Sequence, residues 1–188
     1  MNYLGIALDR ESEVRAKFDA AVATGADLIL TSAGVSVGTF DYVRKVIEEH
    51  GTLSLWKVNM RPGKPVVFGN YQGVPTLNLP GNPVSAFVGC LLFVIPALRK
   101  MTGWKSLLPE ASSGTLDQDI ESDGRESYLR AVVRQFGSEN HLSLTGNQAS
   151  GNLYSLVQAN ALLIVPAGVK SLTACSRVDY IPFNQYFK

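Results

Sequence analysis

The sequence predicts a three-layer, mostly parallel α/β domain over residues 1–106, followed by a small β-barrel domain over residues 107–188. Three observations predict it. Through the first hundred residues, apolar runs alternate between strand-like and helical spacing, which argues for a parallel sheet covered by helices. Beyond Gly103 the helical spacing stops, and short extended runs separated by turn signals take over, as in a small barrel or sandwich. Between the two, residues 108–114 form a Pro/Ser/Gly-bearing stretch with no apolar period, so the boundary falls near residues 104–114.

Residues 3–8 read as a short apolar strand, and Asp9 or Ser12 is placed to cap the helix that follows. In that helix Val14, Phe18, Ala21 and Val22 recur at helical spacing, and Gly25 ends it. Residues 27–31 predict a strand buried on both faces, because Leu28, Ile29 and Leu30 are continuous rather than alternating. A Gly-rich turn leads to a helix over residues 41–50, stopped by Gly51. Extended runs follow at 53–61, 65–69 and 74–79. Asn82 and Pro83 then open a long apolar helix reaching about Thr102, with Asn as cap and Pro at the first helical position. Strands of the second domain are expected at 115–120, 127–136, 141–144, 161–165 and 177–183, with a hairpin turn at 137–140.

Composition narrows the function classes. Seventeen Lys and Arg against sixteen Asp and Glu leave a net charge of +1. No global field therefore draws the chain to nucleic acid or to a membrane, and local clusters must carry any charge-based recognition. Two distant cysteines and two histidines supply neither a disulfide framework nor a zinc site. The longest uncharged stretch, residues 80–98, is interrupted by two prolines and falls short of the about 20 apolar residues of a membrane span. The chain reads as cytoplasmic.

Three segments carry the chemistry. The first, TSAGVSVGTFDY at residues 31–42, joins the end of a buried strand to a helix start, where open α/β sheets bind ligands. Gly34 and Gly38 let backbone N–H groups approach an anion, with Ser36 between them. Asp41 opposes an anion unless a hard cation sits between them. A simple helix cap and turn explain the same residues. The second segment, WKVNMRPGKP at residues 56–65, places Lys57, Asn59 and Arg61 on one face if residues 53–61 form one strand. Four residues of strand would separate Lys57 from Arg61 by roughly 13 Å, enough to grip two ends of a polyanion. A turn at Pro62-Gly63 would bring Lys64 beside Arg61. A solvated cationic edge fits equally well. The third, LPGNPVSA at residues 79–86, stiffens a strand-to-helix connection with Pro80 and Pro83 around Gly81 and Asn82; a plain helix start also explains it. Arg125 and Arg130 either serve a turn into the barrel or face the α/β domain.

Taken in order, these three segments resemble the MoeA family of molybdopterin molybdenumtransferases, whose eukaryotic relative is the E domain of gephyrin. The helix end VIPALRKM and the later TGNQAS at residues 145–150 resemble that family too. The resemblance implies a MogA-like molybdopterin-binding fold for the first domain. It implies insertion of molybdate into adenylylated molybdopterin with release of AMP, and Mg²⁺ as cofactor. It places Asp41 at the Mg²⁺ or molybdate site, and Lys57 and Arg61 at the two cationic positions, the second being Lys in some members. Gly34, Ser36, Gly38, Lys64 and Asn82 are expected to bind substrate from the character of their own segments. Pro80 and Pro83 match prolines that shape the pocket, and Ser150 matches a small polar residue of the last domain.

Family members begin with a long further segment, and the α/β domain here lacks a counterpart of their opening strand. The chain is therefore expected to form a homo-oligomer or to need an N-terminal half, with small-molecule substrates as its other partners. The alternatives are an inert pterin- or nucleotide-binding module and an interaction scaffold.

Overall fold

In a computed structural model, residues 1–34 and 42–186 are described. Contacts divide the chain into two units, Met1–Val58 with Gly63–Asn82, and Asn59–Pro62 with Pro83–Lys188. The elements begin with α1 (Glu11–Ala23), β1 (Ile29–Ser32), α2 (Tyr42–His50), β2 (Gly51–Trp56), β3 (Met60–Arg61), β4 (Val67–Tyr71) and β5 (Val74–Leu79). A long helix follows, made of α3 (Pro83–Gly89), a π-helical turn (Cys90–Val94) and α4 (Ile95–Met101). The remainder is β6 (Ser112–Leu116), β7 (Ile120–Glu121), β8 (Glu126–Phe136), β9 (Glu139–Leu144), α5 (Tyr154–Gln158), β10 (Ala161–Val165), β11 (Ser171–Leu172) and β12 (Arg177–Pro182).

The first unit holds a four-stranded sheet in the order β1-β5-β4-β2. Its core joins Val14, Phe18 and Ala21 of α1 and Val43, Val46 and Ile47 of α2 to Ile29, Val67 and Tyr71 of the sheet. Phe18 and Tyr71 meet edge to face at 5.1 Å, and the Tyr71 hydroxyl donates to Asp19 at 2.7 Å. The predicted α/β domain followed by a β-barrel is the observed architecture, with a mixed sheet. Among its described pairings β1–β5 is parallel, and β4–β5 and β2–β4 are antiparallel.

Three expectations for this unit are corrected. Residues 3–8 form no strand: Gly5 takes a φ of 78° that breaks extended backbone, and the segment pairs with none of the four strands. Tyr3, Ile6 and Leu8 are accordingly exposed. Leu30 is not buried but 49% exposed, because the helices cover the Ile29 face of β1 and Leu30 points the other way. The residue before α1 is Arg10, with no side-chain cap, rather than Asp9 or Ser12.

In the second unit β10-β12-β6-β9-β8 close into a five-stranded barrel through the additional pairing of β10 with β8, and β3 adds in parallel to β8. Closure follows from the length of β8. Its residues 127–131 pair with β10 and its residues 131–136 pair with β9. Leu116, Ala131, Leu142, Ala161, Leu163 and Val165 fill the interior with no exposed surface. The turn expected at 137–140 is present but tighter, over residues 137–138, with Gly137 at a φ of 61° and β9 beginning at Glu139.

The helix Pro83–Met101 is 19 residues long, and by length and composition alone it suffices to cross a membrane. Val84, Val88, Leu91 and Val94 form its buried stripe, as on the core-facing side of an amphipathic helix. Pro96 explains the π-helical turn. It has no N–H to give the carbonyl four residues back, and the Ile95 N–H bonds to Cys90 five residues back instead.

Candidate functional site

In the first unit the carboxyl ends of the parallel pair β1 and β5 lie side by side, and their following turns are tied together. Thr31 Oγ1 donates to Asn78 Oδ1 at 2.8 Å, the Ala33 N–H donates to the Leu79 carbonyl at 2.9 Å, and Ser32 Oγ donates to the Pro80 carbonyl at 3.3 Å. There is no room for a side chain at Gly81 or at Gly34. A Cβ on Gly81 would lie 2.9 Å from the Ala33 Cβ, and one on Gly34 would lie 2.6 Å from Val43. Gly34 also holds a φ of 71°, and Ala33 one of 77°, both left-handed. The first and third segments singled out in the sequence thus meet, through Ser32 and Ala33 on one side and Leu79 to Gly81 on the other. Pro80 is buried, Asn82 is half-buried and Pro83 is exposed. Ser36, Gly38 and Asp41 lie outside the described residues.

The second segment departs from the expectation of one strand over residues 53–61. β2 ends at Trp56, and Lys57 turns into the left-handed region at a φ of 68°. Period-two alternation is lost at that residue, so no common strand face can be claimed for Lys57, Asn59 and Arg61. Lys57 belongs to the first unit, and its backbone N–H donates to the Val66 carbonyl at 3.2 Å. The Val58 N–H donates to the Lys64 carbonyl at 2.9 Å, so Lys57 and Lys64 sit on the two arms of one loop. Gly63 takes a φ of 102°, as its turn requires, and the peptide bond before Pro62 is cis.

Arg61 belongs to the second unit. It lies on β3 opposite Ser127 of β8, with its guanidinium 3.6 Å from the Asp123 carboxylate. Arg125 bonds the same carboxylate at 2.5 Å. The Arg125 side chain, its backbone N–H and the Arg61 charge together hold Asp123 down at about 2, Arg125 being the larger cause.

Arg130 is the residue whose importance the sequence left undecided. It is 1% exposed, the largest fully buried side chain among the described residues. Its guanidinium donates to Ser155 Oγ at 2.9 Å and to the Ala149 carbonyl at 3.1 Å. Its own carbonyl accepts from the Thr145 backbone and hydroxyl and from Gln148. These partners are neutral. Burial, and then the Arg61 charge, push the guanidinium below its usual range. Arg130 therefore braces the loop 145–152, on which Ser150 is exposed. The signal was available only in part, since an arginine in an apolar strand reads as either an outward or a buried side chain.

One candidate cluster of metal ligands is found among the described residues: Glu11, Glu49 and His50, with ligand atoms within 4.8 Å of one another. The Lys45 ammonium already lies 2.5 Å from Glu11 and 3.7 Å from Glu49, so an ion-pair network supplies the positive charge there. The turns at 31–34 and 79–82 contain no carboxylate. Their glycines, N–H groups and hydroxyls suit an anion, and a hard cation at that place would need Asp41.

Comparison with known proteins agrees over both units. Residues 1–100 match the family described as probable molybdopterin binding domain, and residues 113–183 match the MoeA C-terminal region, domain IV. A molybdopterin molybdenumtransferase of Haemophilus influenzae is 33% identical over 96% of this chain and 45% of its own length. Gephyrin of Dictyostelium discoideum is 38% identical over 74% of this chain and 23% of its own. Among solved structures, a molybdopterin biosynthesis MoeA protein from Pyrococcus horikosii superposes with a TM-score of 0.75 at 27% identity, covering 95% of this chain and 42% of that one. The chain thus spans less than half the length of these relatives. With the first family matched over more than half its residues and the second over most of the remainder, this chain belongs to the molybdopterin-binding, MoeA-type family of molybdenum cofactor biosynthesis.

Proposed function

We propose that this chain is the molybdate-inserting part of a molybdopterin molybdenumtransferase, with residues 1–106 as the pterin-binding domain and residues 107–188 as the barrel domain. The observation that carries the reading is the pair of tied turns at the carboxyl ends of β1 and β5, which lie within the stretch that matches the molybdopterin binding domain. Turns of this kind present backbone N–H groups to an oxyanion. Lys57, Arg61 and Lys64 supply the cations for molybdate and for phosphate oxygens of adenylylated molybdopterin. Gly34, Ser36 and Gly38 admit the anion, Pro80, Asn82 and Pro83 shape the pocket wall, and Ser150 contributes from the loop that Arg130 braces. Asp41 is the residue that would hold Mg²⁺, whose chemistry there is to offset negative charge between carboxylate and oxyanion. A cytoplasmic location belongs to the same proposal.

Because relatives carry as much again beyond the matched stretch, full activity needs that further polypeptide or a second copy of the chain. The test is a molybdate-insertion assay on purified adenylylated molybdopterin, with the chain alone and with the remaining part of a relative added. Asp41→Ala and Lys57→Ala should each abolish turnover while leaving the melting curve intact. Turnover unchanged in both variants would overturn the reading.

A further inference from the structure

Arg61 and Arg125 converge on a single oxygen atom. Arg61 Nη1 lies 3.6 Å from Asp123 Oδ2, and Arg125 donates to that same Oδ2 from Nε at 3.1 Å and from Nη2 at 2.5 Å. The Arg125 backbone N–H donates to the other oxygen, Oδ1, at 3.1 Å. All three residues belong to the second unit, and their side chains are 34–44% exposed, so dissolved ions reach them. The sharing is unequal, because 3.6 Å is too long for a hydrogen bond and only Arg125 is bonded. No other described carboxylate pairs with either guanidinium, and the neighbouring Glu126 accepts from the Tyr128 hydroxyl instead. Two positive charges therefore share one negative charge.

A carboxylate offers one charge and is tethered to its own backbone. A dianionic tetrahedral oxyanion offers twice the charge and more oxygens, and the planar fork of each guanidinium matches it. We propose that Arg125 is a second cation for the oxyanion that Arg61 receives, and that Asp123 is a built-in counter-ion that holds the place of this oxyanion and gives up Arg125 to it. The ligand class is a dianionic tetrahedral oxyanion, whether free molybdate or a phosphate group. Asp123 keeps Arg125 aimed at the site and opposes the incoming charge, so it limits affinity. The inference rests on the oxyanion role proposed above for Arg61 and deepens it with two residues of the segment leading into β8.

Calorimetric titration of the intact chain at fixed ionic strength, with sodium molybdate and separately with inorganic phosphate, tests it. Asp123→Asn should tighten binding about fivefold, and Arg125→Gln should weaken it about fivefold. Opposite signs are the signature, since a purely structural pair would shift affinity in the same direction when either partner is lost. The double variant should bind nearly as the unaltered chain does, because one net positive charge remains in both. Arg125→Lys should recover part of the loss. The tighter of the two anions identifies the source of the oxyanion. Asp123→Asn keeps an oxygen for the Arg125 backbone N–H, and melting curves check that each variant is folded. Unchanged or weaker binding in Asp123→Asn, or unchanged binding in Arg125→Gln, overturns this inference. If Arg61→Ala still abolishes binding in that event, the role proposed above for Arg61 stands without it. An unaltered chain that binds neither anion overturns both.

Discussion

The two units solve the same problem differently. In the barrel every one of five strands is paired on both sides, and Leu142 and Leu163 have no exposed surface. In the α/β unit the sheet is open, and α1 and α2 cover one face of it. On the other face the register aligns Leu30 with Leu77, Leu77 with Phe68, and Phe68 with Leu55. Three of these four are 40–49% exposed. A closed sheet satisfies its own edges and fills its own interior, whereas an open sheet leaves one face for other polypeptide to cover. The tied turns after β1 and β5 sit on the open sheet.

The largest expected effect separates the two regions directly. Leu142→Ala should cost about 3 kcal/mol in urea denaturation, because a cavity opens in a closed interior. Leu30→Ala should cost about 1 kcal/mol or less, since that side chain is half in water already. Equal losses would break the comparison and show that the sheet face is covered in solution.

Arg130→Leu should cost about 2–3 kcal/mol by leaving Ser155 Oγ and the Ala149 carbonyl without their donor. Faster hydrogen exchange confined to residues 145–152 would locate the loss in the braced loop, and exchange spread through all barrel strands would contradict it.

Gly34→Ala sharpens the other side of the comparison. A methyl group there meets Val43 at 2.6 Å on backbone with a φ of 71°, so about 2 kcal/mol of destabilisation is expected. The same substitution at Gly73, which faces open space at a φ of 89°, isolates the backbone share of that loss.

The smallest effect concerns pH. Asp123 has its folded value lowered to about 2 by Arg125 first and Arg61 after it. A lowered carboxylate contributes stability that is present above its unfolded value of about 4 and is lost as pH falls from there towards 2. The pair is solvent-exposed, so the change should be small. NMR titration of the Asp123 carboxyl should show the lowered midpoint in the unaltered chain, and Arg125→Gln should return it towards 4.

How much of this was legible beforehand depended on the range of the interactions. The helix over residues 83–101 was readable from Asn82-Pro83 at its start and an apolar run behind it, because capping and propensity act within a few residues. Four barrel strands were readable for the same reason, through turn residues between short extended runs, whereas the run expected at 115–120 breaks between β6, which ends at Leu116, and β7 at Ile120–Glu121. Residues 3–8 misled, since β-propensity in Tyr3, Leu4 and Ile6 says nothing about whether a neighbouring strand exists to pair with. Lys57 misled too. Nothing local announces that a lysine will take a left-handed conformation, and its φ of 68° removed the alternation on which a shared face with Arg61 rested.

By itself the sequence determined the long helix over residues 83–101, the barrel hairpin, the three motif segments and the family to which they point. These are set by local spacing, turn chemistry and residue identity. Only the tertiary structure decided that β10 would close on β8, that Leu30 would face away from α1 and α2, that Gly34 and Gly81 would meet other residues too closely for a side chain, and that Arg130 would be buried under its own loop. Each of these joins residues far apart in the chain, and their free energy depends on distances that no sequence window contains.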